Sequence, residues 1–440
     1  MRRKVQEMKI EKNNNFANQN SVEVIEERKI RREKKFYSKS DRAITLIALV
    51  VTIIVLLILA GVTINSVVGT GGVIKKGKVS LNEYKKESDE EEKSIKELEN
   101  IVDEKVNETQ EKYLKSGEYA TNTDMYSDGT SFAVIPAGFT VSGIEGENKI
   151  SSGLVIYKGD LSKADWTTGK DTAGNDIKRT YNQYVWIPCT ESNYKRTEWG
   201  VETDSGSKAS KDEITLASVT LSEHDKNNGI TKDILNEIVN QILNEKNSVK
   251  KYGGFYIGRY EVGKENVIRQ YKESSASLIW SVAYANAKKI DVGSASLSYL
   301  SSSYARDTAL NFIQNNSEFK TYASTKNNAS NGTNINENWQ DKSITYTDAN
   351  GISHKKAAGT ATRLQTGVTT AKCNIYDMGG NVAEFTTELD PLTNGDNAAT
   401  VVIRGGFYSD NTDRAAGDRW DAYSEFANDF VGFRTTLFIQ

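Results

Sequence analysis

Cysteine, histidine and proline are scarce in this chain. Its 440 residues include two Cys, two His and three Pro. Two Cys exclude a disulfide-dense scaffold and a four-Cys zinc site. His224 and His354 are too few for a three-His metal centre and lie far apart in the sequence. An excess of one charge is missing as well. Lys and Arg number 56 and Asp and Glu 59, a formal charge of −3, which is no footprint of a general nucleic-acid binder. The length excludes one small domain. What is present is unevenly distributed.

Residues 1–42 hold 13 Lys/Arg and 7 Asp/Glu, a local charge of +6. From Ala43 to Ile74 no side chain is ionisable, and within Ile44–Ile64 15 of 21 residues are Ile, Leu or Val. As α-helix that stretch would span about 32 Å, enough to cross a hydrocarbon core of roughly 30 Å. The basic flank Arg28–Arg42 orients the N-terminus to the cytoplasm. The rest of the chain, with a charge of −9, is then expected outside a single-pass cell-membrane anchor, with the lipid bilayer as a partner. A cleaved secretory signal fits less well, because the apolar run is long and no small-x-small site clearly follows it.

The stretch Asp41-Arg-Ala43 followed by Ile44-Thr-Leu-Ile-Ala48-Leu resembles the N-terminal signature of type IV pilins and pseudopilins. The resemblance implies cleavage by a prepilin peptidase between Ala43 and Ile44, and pilus or pseudopilus subunits as partners. Two residues depart from the family pattern. Ala43 replaces the usual Gly, and Ala48 replaces the acidic residue at the fifth mature position. An uncleaved signal anchor is the alternative.

Residues 75–120 are highly charged and rich in helix formers. Ile95, Leu98, Val102, Val106, Tyr113 and Leu114 form a thin apolar stripe, so a solvated helical stalk is expected, with a coiled coil as the sharper alternative. From residue 125 to 440, short apolar runs alternate with Gly, Asn and Ser turns. Strands are expected around 132–139, 153–157, 184–188 and 254–261. Helices are expected at Lys232–Asn244, with Thr231 as N-cap, at Trp280–Ile290 and at Tyr304–Gln314. Polar stretches at 202–212, 291–303 and 324–343 read as loops. The fold class is α+β: an N-terminal transmembrane helix (44–74) after a basic leader (1–43), a stalk (75–120) and a head (125–440).

Three blocks close the chain: Asn374-Ile-Tyr-Asp-Met-Gly-Gly-Asn-Val-Ala-Glu-Phe385, Val402-Ile-Arg-Gly-Gly-Phe407 and Val431-Gly-Phe-Arg434. With the strand at Phe132 they resemble the formylglycine-generating-enzyme (sulfatase-modifying factor) superfamily, whose fold is a variant of the C-type lectin fold. Tyr376, Phe385, Phe407 and Phe433 supply bulk suited to a core. Arg404 and Arg434 are suited to bridging loops through planar hydrogen bonding. In the family's copper oxidases two Cys follow the R-G-G block. The matching positions here fall near Asp410 and Ala415, and the two His are too few for the iron site of the superfamily's sulfoxide synthases, so neither copper nor iron is expected and the head reads as non-enzymatic. The resemblance does imply a Ca²⁺ site on the side chains of Asp377 and Glu384 and the carbonyls of Gly380 and Val382. Cys189 and Cys373 read as buried small hydrophobes.

The segment 407–430 is dense in Tyr, Trp, Phe, Arg, Asp and Asn, as binding surfaces are. Its position between the R-G-G and G-F-R blocks is similar to that of the variable segment in proteins of diversity-generating retroelements. Contact residues expected on that reading are Tyr408, Asp410, Asn411, Asp413, Arg414, Arg419, Trp420, Tyr423, Phe426 and Asn428. The function expected is a membrane-anchored surface binding protein, adhesin or receptor-like, for an extracellular protein or glycan and not for nucleic acid. The alternatives are a minor pilin subunit and a formylglycine-generating-type oxidase.

Overall fold

The computed structural model describes residues 113–440 and Lys93 and Lys96, apart from 198, 200–209, 222, 316–317, 319, 326–336, 392–398 and 411–413. The chain divides into two units, 1–107 and 108–440. In the first, only Lys93 and Lys96 are described, both helical and exposed. The leader, the Ala43–Ile44 junction and the apolar segment 44–74 lie outside the described residues. Among the described residues no helix is long and apolar enough to cross a membrane.

The centre of the second unit is a six-stranded sheet in the order β3-β4-β5-β6-β14-β7. Its strands are β3 (Phe139–Val141), β4 (Val155–Lys158), β5 (Gln183–Pro188), β6 (Gly254–Gly258), β7 (Ser296–Leu300) and β14 (Thr435–Ile439). Side chains alternate between two cores, as a pleated strand requires. Tyr184, Trp186, Tyr256, Leu437 and Ile439 enter one core. Val185, Ile187, Phe255, Ile257 and Phe438 enter the other. Because both faces are buried, these strands read as near-continuous apolar runs, which is why β4, β5 and β6 fall where the sequence predicts them.

Helix α3 (Lys232–Tyr252) starts where expected, with the Thr231 hydroxyl accepting from the Ile234 N–H. It runs past the predicted end at Asn244 and stops at Gly253, whose left-handed backbone caps it through an N–H to the Val249 carbonyl. Its buried positions include Leu235, Ile238, Ile242, Glu245 and Val249, at helical spacing. The shorter helices α1 (Ile177–Thr180) and α2 (Glu223–Asn227) precede it, and α4 (Trp280–Ala287) and α5 (Ser303–Asn315) follow. Hairpins β1 (Asp124–Ser127) with β2 (Phe132–Ile135) and β8 (Ile344–Thr347) with β9 (Ser353–Lys356) lie outside the main sheet.

Further boundaries differ from the sequence reading. Residues 113–120, expected as stalk helix, are not helical. Leu114 bridges Tyr126, Tyr119 bridges Thr140, and Ala120 is fully buried. Tyr113 and Leu114 therefore belong to the head. Strand β7 lies inside the predicted loop 291–303. Its buried positions are Ser296, Ser298 and Leu300, and the Ser298 hydroxyl is satisfied by the Ala287 carbonyl. Cys189 and Cys373 are both buried, and burial pushes the Cys189 thiol up to about 12.

A second sheet positions the candidate site. It has the order β12-β11-β10-β13, formed by β10 (Ala383–Pro391), β11 (Ala399–Arg404), β12 (Arg419–Tyr423) and β13 (Val431–Phe433). All pairs are antiparallel except β10 with β13. Phe385 and Phe433 are fully buried in the core, as the block residues predict. Tyr376 packs on Tyr260 at 5.0 Å between ring centres.

Candidate ligand-binding surface

Register sets the site. Glu384 on β10 lies opposite Arg404 on β11, and Arg404 lies opposite Arg419 on β12. Two arginines directly across an antiparallel pair repel unless acids reach both. Asp307 from α5 and Glu388 from β10 do so. Arg404 donates to Glu388 Oε1 at 2.5 Å and Asp307 Oδ1 at 2.6 Å, and Arg419 donates to Glu388 Oε2 and Asp307 Oδ2, both at 2.7 Å. Each guanidinium thus holds both carboxylates, in the planar, forked geometry arginine provides. Burial alone would raise the Glu388 carboxyl, but Arg404, Arg419 and Arg196 hold it well below the usual carboxylate range. Arg419 also reaches the carbonyls of Thr197 and Trp199.

This network corrects two expected contact residues. Arg419 and Asp410 are buried, at 7% and 5% exposure. Arg419 is the inward residue of β12, committed to acids beneath the sheet, and Asp410 pairs with Arg414 at 2.9 Å. Neither side chain is open to solvent. Asn411 and Asp413 lie outside the described residues.

The end of β12 and the loop after it carry the exposed chemistry. Along β12, Arg419 is buried, Trp420 half-buried, Asp421 exposed, Ala422 half-buried and Tyr423 exposed at 54%. Trp420, Phe407, Phe426 and Phe430 are half-buried and pack together over the core. Phe407 stacks on Phe430 at 4.1 Å, Phe426 lies 5.9 Å from Phe430, and Trp420 is 6.0 Å from Phe407. The Arg414 guanidinium lies 4.9 Å above Trp420. Phe407, expected as core, is instead part of this aromatic floor. Tyr408 is tied down at both ends. Its N–H donates to the Asn381 carbonyl and its hydroxyl to Asp429. Asn428 is half-buried, and its carbonyl accepts from the Ser277 N–H. Asp421, Tyr423, Glu425 and Asp429 are exposed, with Asp421 and Tyr423 on the Arg419 face of β12.

Beneath lies the Gly-Gly-Asn turn. Asn381, with a left-handed backbone at φ 65°, donates to Glu261 and to the Leu364 carbonyl, and its Oδ1 accepts from the Leu364 N–H and from Asn338. It joins four segments. Asp377 is buried, with Oδ1 accepting from the Thr369 hydroxyl at 2.6 Å. Burial, with the nearby Glu337 charge adding, raises its carboxyl to about 7.

The Ca²⁺ set expected here does not fit. Glu384 Oε1 accepts from Arg434 Nε at 2.8 Å and Oε2 accepts from Arg306, so both oxygens are committed to cations. Arg434 and Arg306 also take the carbonyls of Tyr376 and Met378, which flank Asp377. Two guanidinium charges already occupy the neighbourhood where a hard cation would need free oxygens. Among the described residues no group of three or more His, Cys, Asp or Glu is placed to hold a metal ion. Arg306, Asp307, Glu388 and Glu261 were not singled out as site residues. Their one signal is the Arg306-Asp307 pair set among Tyr304, Ala305 and Ala309 in a helix buried from Ser303 to Leu310.

Residues 282–437, from α4 into β14, match the sulfatase-modifying factor enzyme 1-like domain. No curated protein matches the chain. Among solved structures, the chain is similar to CarF at 15% identity, covering 42% of this chain and 87% of that one at a TM-score of 0.25. It is similar to PvdO from Pseudomonas aeruginosa at 14% identity, 59% and 95% coverage and a TM-score of 0.31. Treponema denticola variable protein 1 follows at 13% identity, 42% and 84% coverage and a TM-score of 0.23. These three likenesses are slight, and the domain match covers the C-terminal part of the head.

Proposed function

We propose that this chain is a membrane-anchored surface binding protein whose lectin-like head captures an extracellular protein or glycan on the face formed by β12 and the loops 407–410 and 424–430. The observation that carries this reading is the half-exposed cluster of Phe407, Trp420, Phe426 and Phe430, in a segment that also exposes Tyr423, Asp421, Glu425 and Asp429. Rigid aromatic anchors with polar groups around them are what binding faces use. The contact set is Tyr408, Arg414, Trp420, Tyr423, Phe426 and Asn428. At the positions where an oxidase of this family would carry its thiols, Asp410 is paired with Arg414 and Ala415 is fully buried, which favours binding over catalysis.

The apolar segment Ile44–Ile64 supports the anchor, and the Ala43–Ile44 junction supports prepilin-type processing. Diversification would follow burial and pairing. Outward positions between 407 and 430 are free to change, whereas Arg404 and Arg419 are not.

The experiment is a glycan and peptide array screen with the full-length chain, followed by titration of the best hit. Trp420→Ala with Tyr423→Ala is expected to weaken that hit at least tenfold, about 1.4 kcal/mol or more, measured below the variant's own melting point, which falls because Trp420 packs over the core and donates to the Gly405 carbonyl. Unchanged affinity would move the binding face elsewhere. No hit, together with the chain in the soluble fraction of cells, would defeat the reading. In sequences of close relatives, substitutions should concentrate in 407–430 and spare Arg404, Arg419 and Asp410. An even spread along the gene would rule out diversification.

A further inference from the structure

The disagreement between the expected Ca²⁺ ligands and the residues around them has a positive side. Arg306 projects from α5 and is fully buried. Its Nη1 donates to Glu384 Oε2, and its Nη2 donates to the Met378 carbonyl at 2.6 Å and reaches the Ala416 carbonyl at 3.4 Å. One carboxylate oxygen and two main-chain carbonyls therefore converge on a single positive charge. That donor set is the kind a hard divalent cation takes. Here a planar guanidinium meets it, with a direction for each donor. Arg434 brackets the other carboxylate oxygen and the Tyr376 carbonyl.

The backbone is shaped to this occupant. Gly405 has φ 75°, and a Cβ there would come 2.9 Å from the Met378 carbonyl oxygen and 3.2 Å from Arg306 Nη2. The R-G-G block thus leaves room for the Arg306 head group against the turn. Asp377 Oδ1 accepts from the Thr369 hydroxyl.

We propose that Arg306 is the resident cation of the Gly-Gly-Asn turn, standing where a divalent ion would otherwise gather these oxygens, so that the head folds and holds its shape without calcium. This inference does not rest on the binding function.

The test is thermal melting of the full-length chain in millimolar CaCl₂ and in excess EGTA. The wild-type midpoint is expected to differ by less than about 1 °C between the two buffers. Arg306→Ala should melt on the order of 10 °C lower in EGTA, because it leaves Glu384 half-paired. Millimolar Ca²⁺ should then raise that midpoint by several degrees, as the freed oxygens accept the ion. Arg306→Lys keeps the charge but not the fork, so it should fall less and stay indifferent to Ca²⁺. A wild-type midpoint that drops in EGTA would overturn the proposal, and so would a folded Arg306→Ala variant that ignores Ca²⁺. If Arg306→Ala does not fold in either buffer, the wild-type and Arg306→Lys melts decide: indifference in both supports the resident arginine, and Ca²⁺ dependence in either defeats it.

Discussion

Replacing Arg404 by methionine is expected to destabilise the head by about 3–5 kcal/mol, the range for breaking a buried ion pair from one side. Arg404 is fully buried and donates to Glu388, to Asp307 and to the Gly417 carbonyl. Methionine fills most of the volume and supplies none of those donors. Asp307 and Glu388 would then depend chiefly on Arg419, with Arg196 3.8 Å from Glu388. One buried negative charge would be left without compensation. The neighbourhood cannot absorb it easily, since burial and Glu388 already push the buried Glu213 carboxyl upward. Urea denaturation of the wild type and Arg404→Met measures the loss. A difference below about 1 kcal/mol would show that the square of two arginines and two acids is not a unit. Because Arg419 and Trp420 are consecutive on β12, the same variant should also lose the array hit.

Stability is expected to fall by about 3 kcal/mol as the pH rises from 4.5 to 7, through Glu245 on α3. This residue is fully buried. Its carboxyl accepts from the Tyr194 hydroxyl at 2.6 Å, the Ser302 hydroxyl at 2.7 Å and Gln241 Nε2 at 2.8 Å, all neutral groups. Burial outweighs those hydrogen bonds and pushes the carboxyl up to about 7. Between the unfolded value near 4.5 and the folded value near 7, the folded state keeps a proton that the unfolded state has lost. The unfolded state binds fewer protons there, so stability declines with rising pH and levels off above about 7. Asp377, also raised to about 7, adds to the same slope. Glu147 works in the opposite sense at lower pH. Burial would raise its carboxyl, but Arg259 and Lys178 hold it at about 2. Its stabilisation is therefore lost only as the pH falls from 4.5 towards 2. Melting temperatures across pH 4.5–8 test this, with Glu245→Gln expected to flatten the decline. A wild type that gains stability over that window would refute it.

The central strands were legible in the sequence because a sheet buried on both faces needs apolar residues in succession, as in Tyr184–Ile187 and Phe255–Ile257. The N-terminus of α3 was legible because its cap is local, with Thr231 bonding three residues on. Its end was missed because buried Gln241, Glu245 and Ser248 interrupt the apolar stripe, while hydrogen bonds from Gln241 Nε2 to Glu245 and to the Leu300 carbonyl hold that face together. Strand β7 was hidden in the same way by its serines. The site was legible as a segment but not in detail. Residues 407–430 do carry the aromatic floor, yet Arg419 looks like any surface arginine until its acids are known, and these lie 31 and 112 positions earlier in the chain. Sequence spacing has no access to such pairs. The resemblance to a calcium-binding block failed at Arg306 for that reason too, since the residue answering Glu384 comes from 78 positions away.

The order β6-β14-β7 also has a kinetic meaning. Tyr256 pairs with Leu437, and Leu437 pairs with Ser298, so β14 is a wedge between two strands made much earlier in the chain. Until it arrives, β6 and β7 each present an open edge, and closing the gap incurs the loop entropy of a long intervening segment before the reward of pairing. The head is therefore expected to be a slow folder whose last step is the seating of β14. That same step delivers Arg434 to Glu384, so the turn beneath the binding face becomes rigid only when the central sheet is complete.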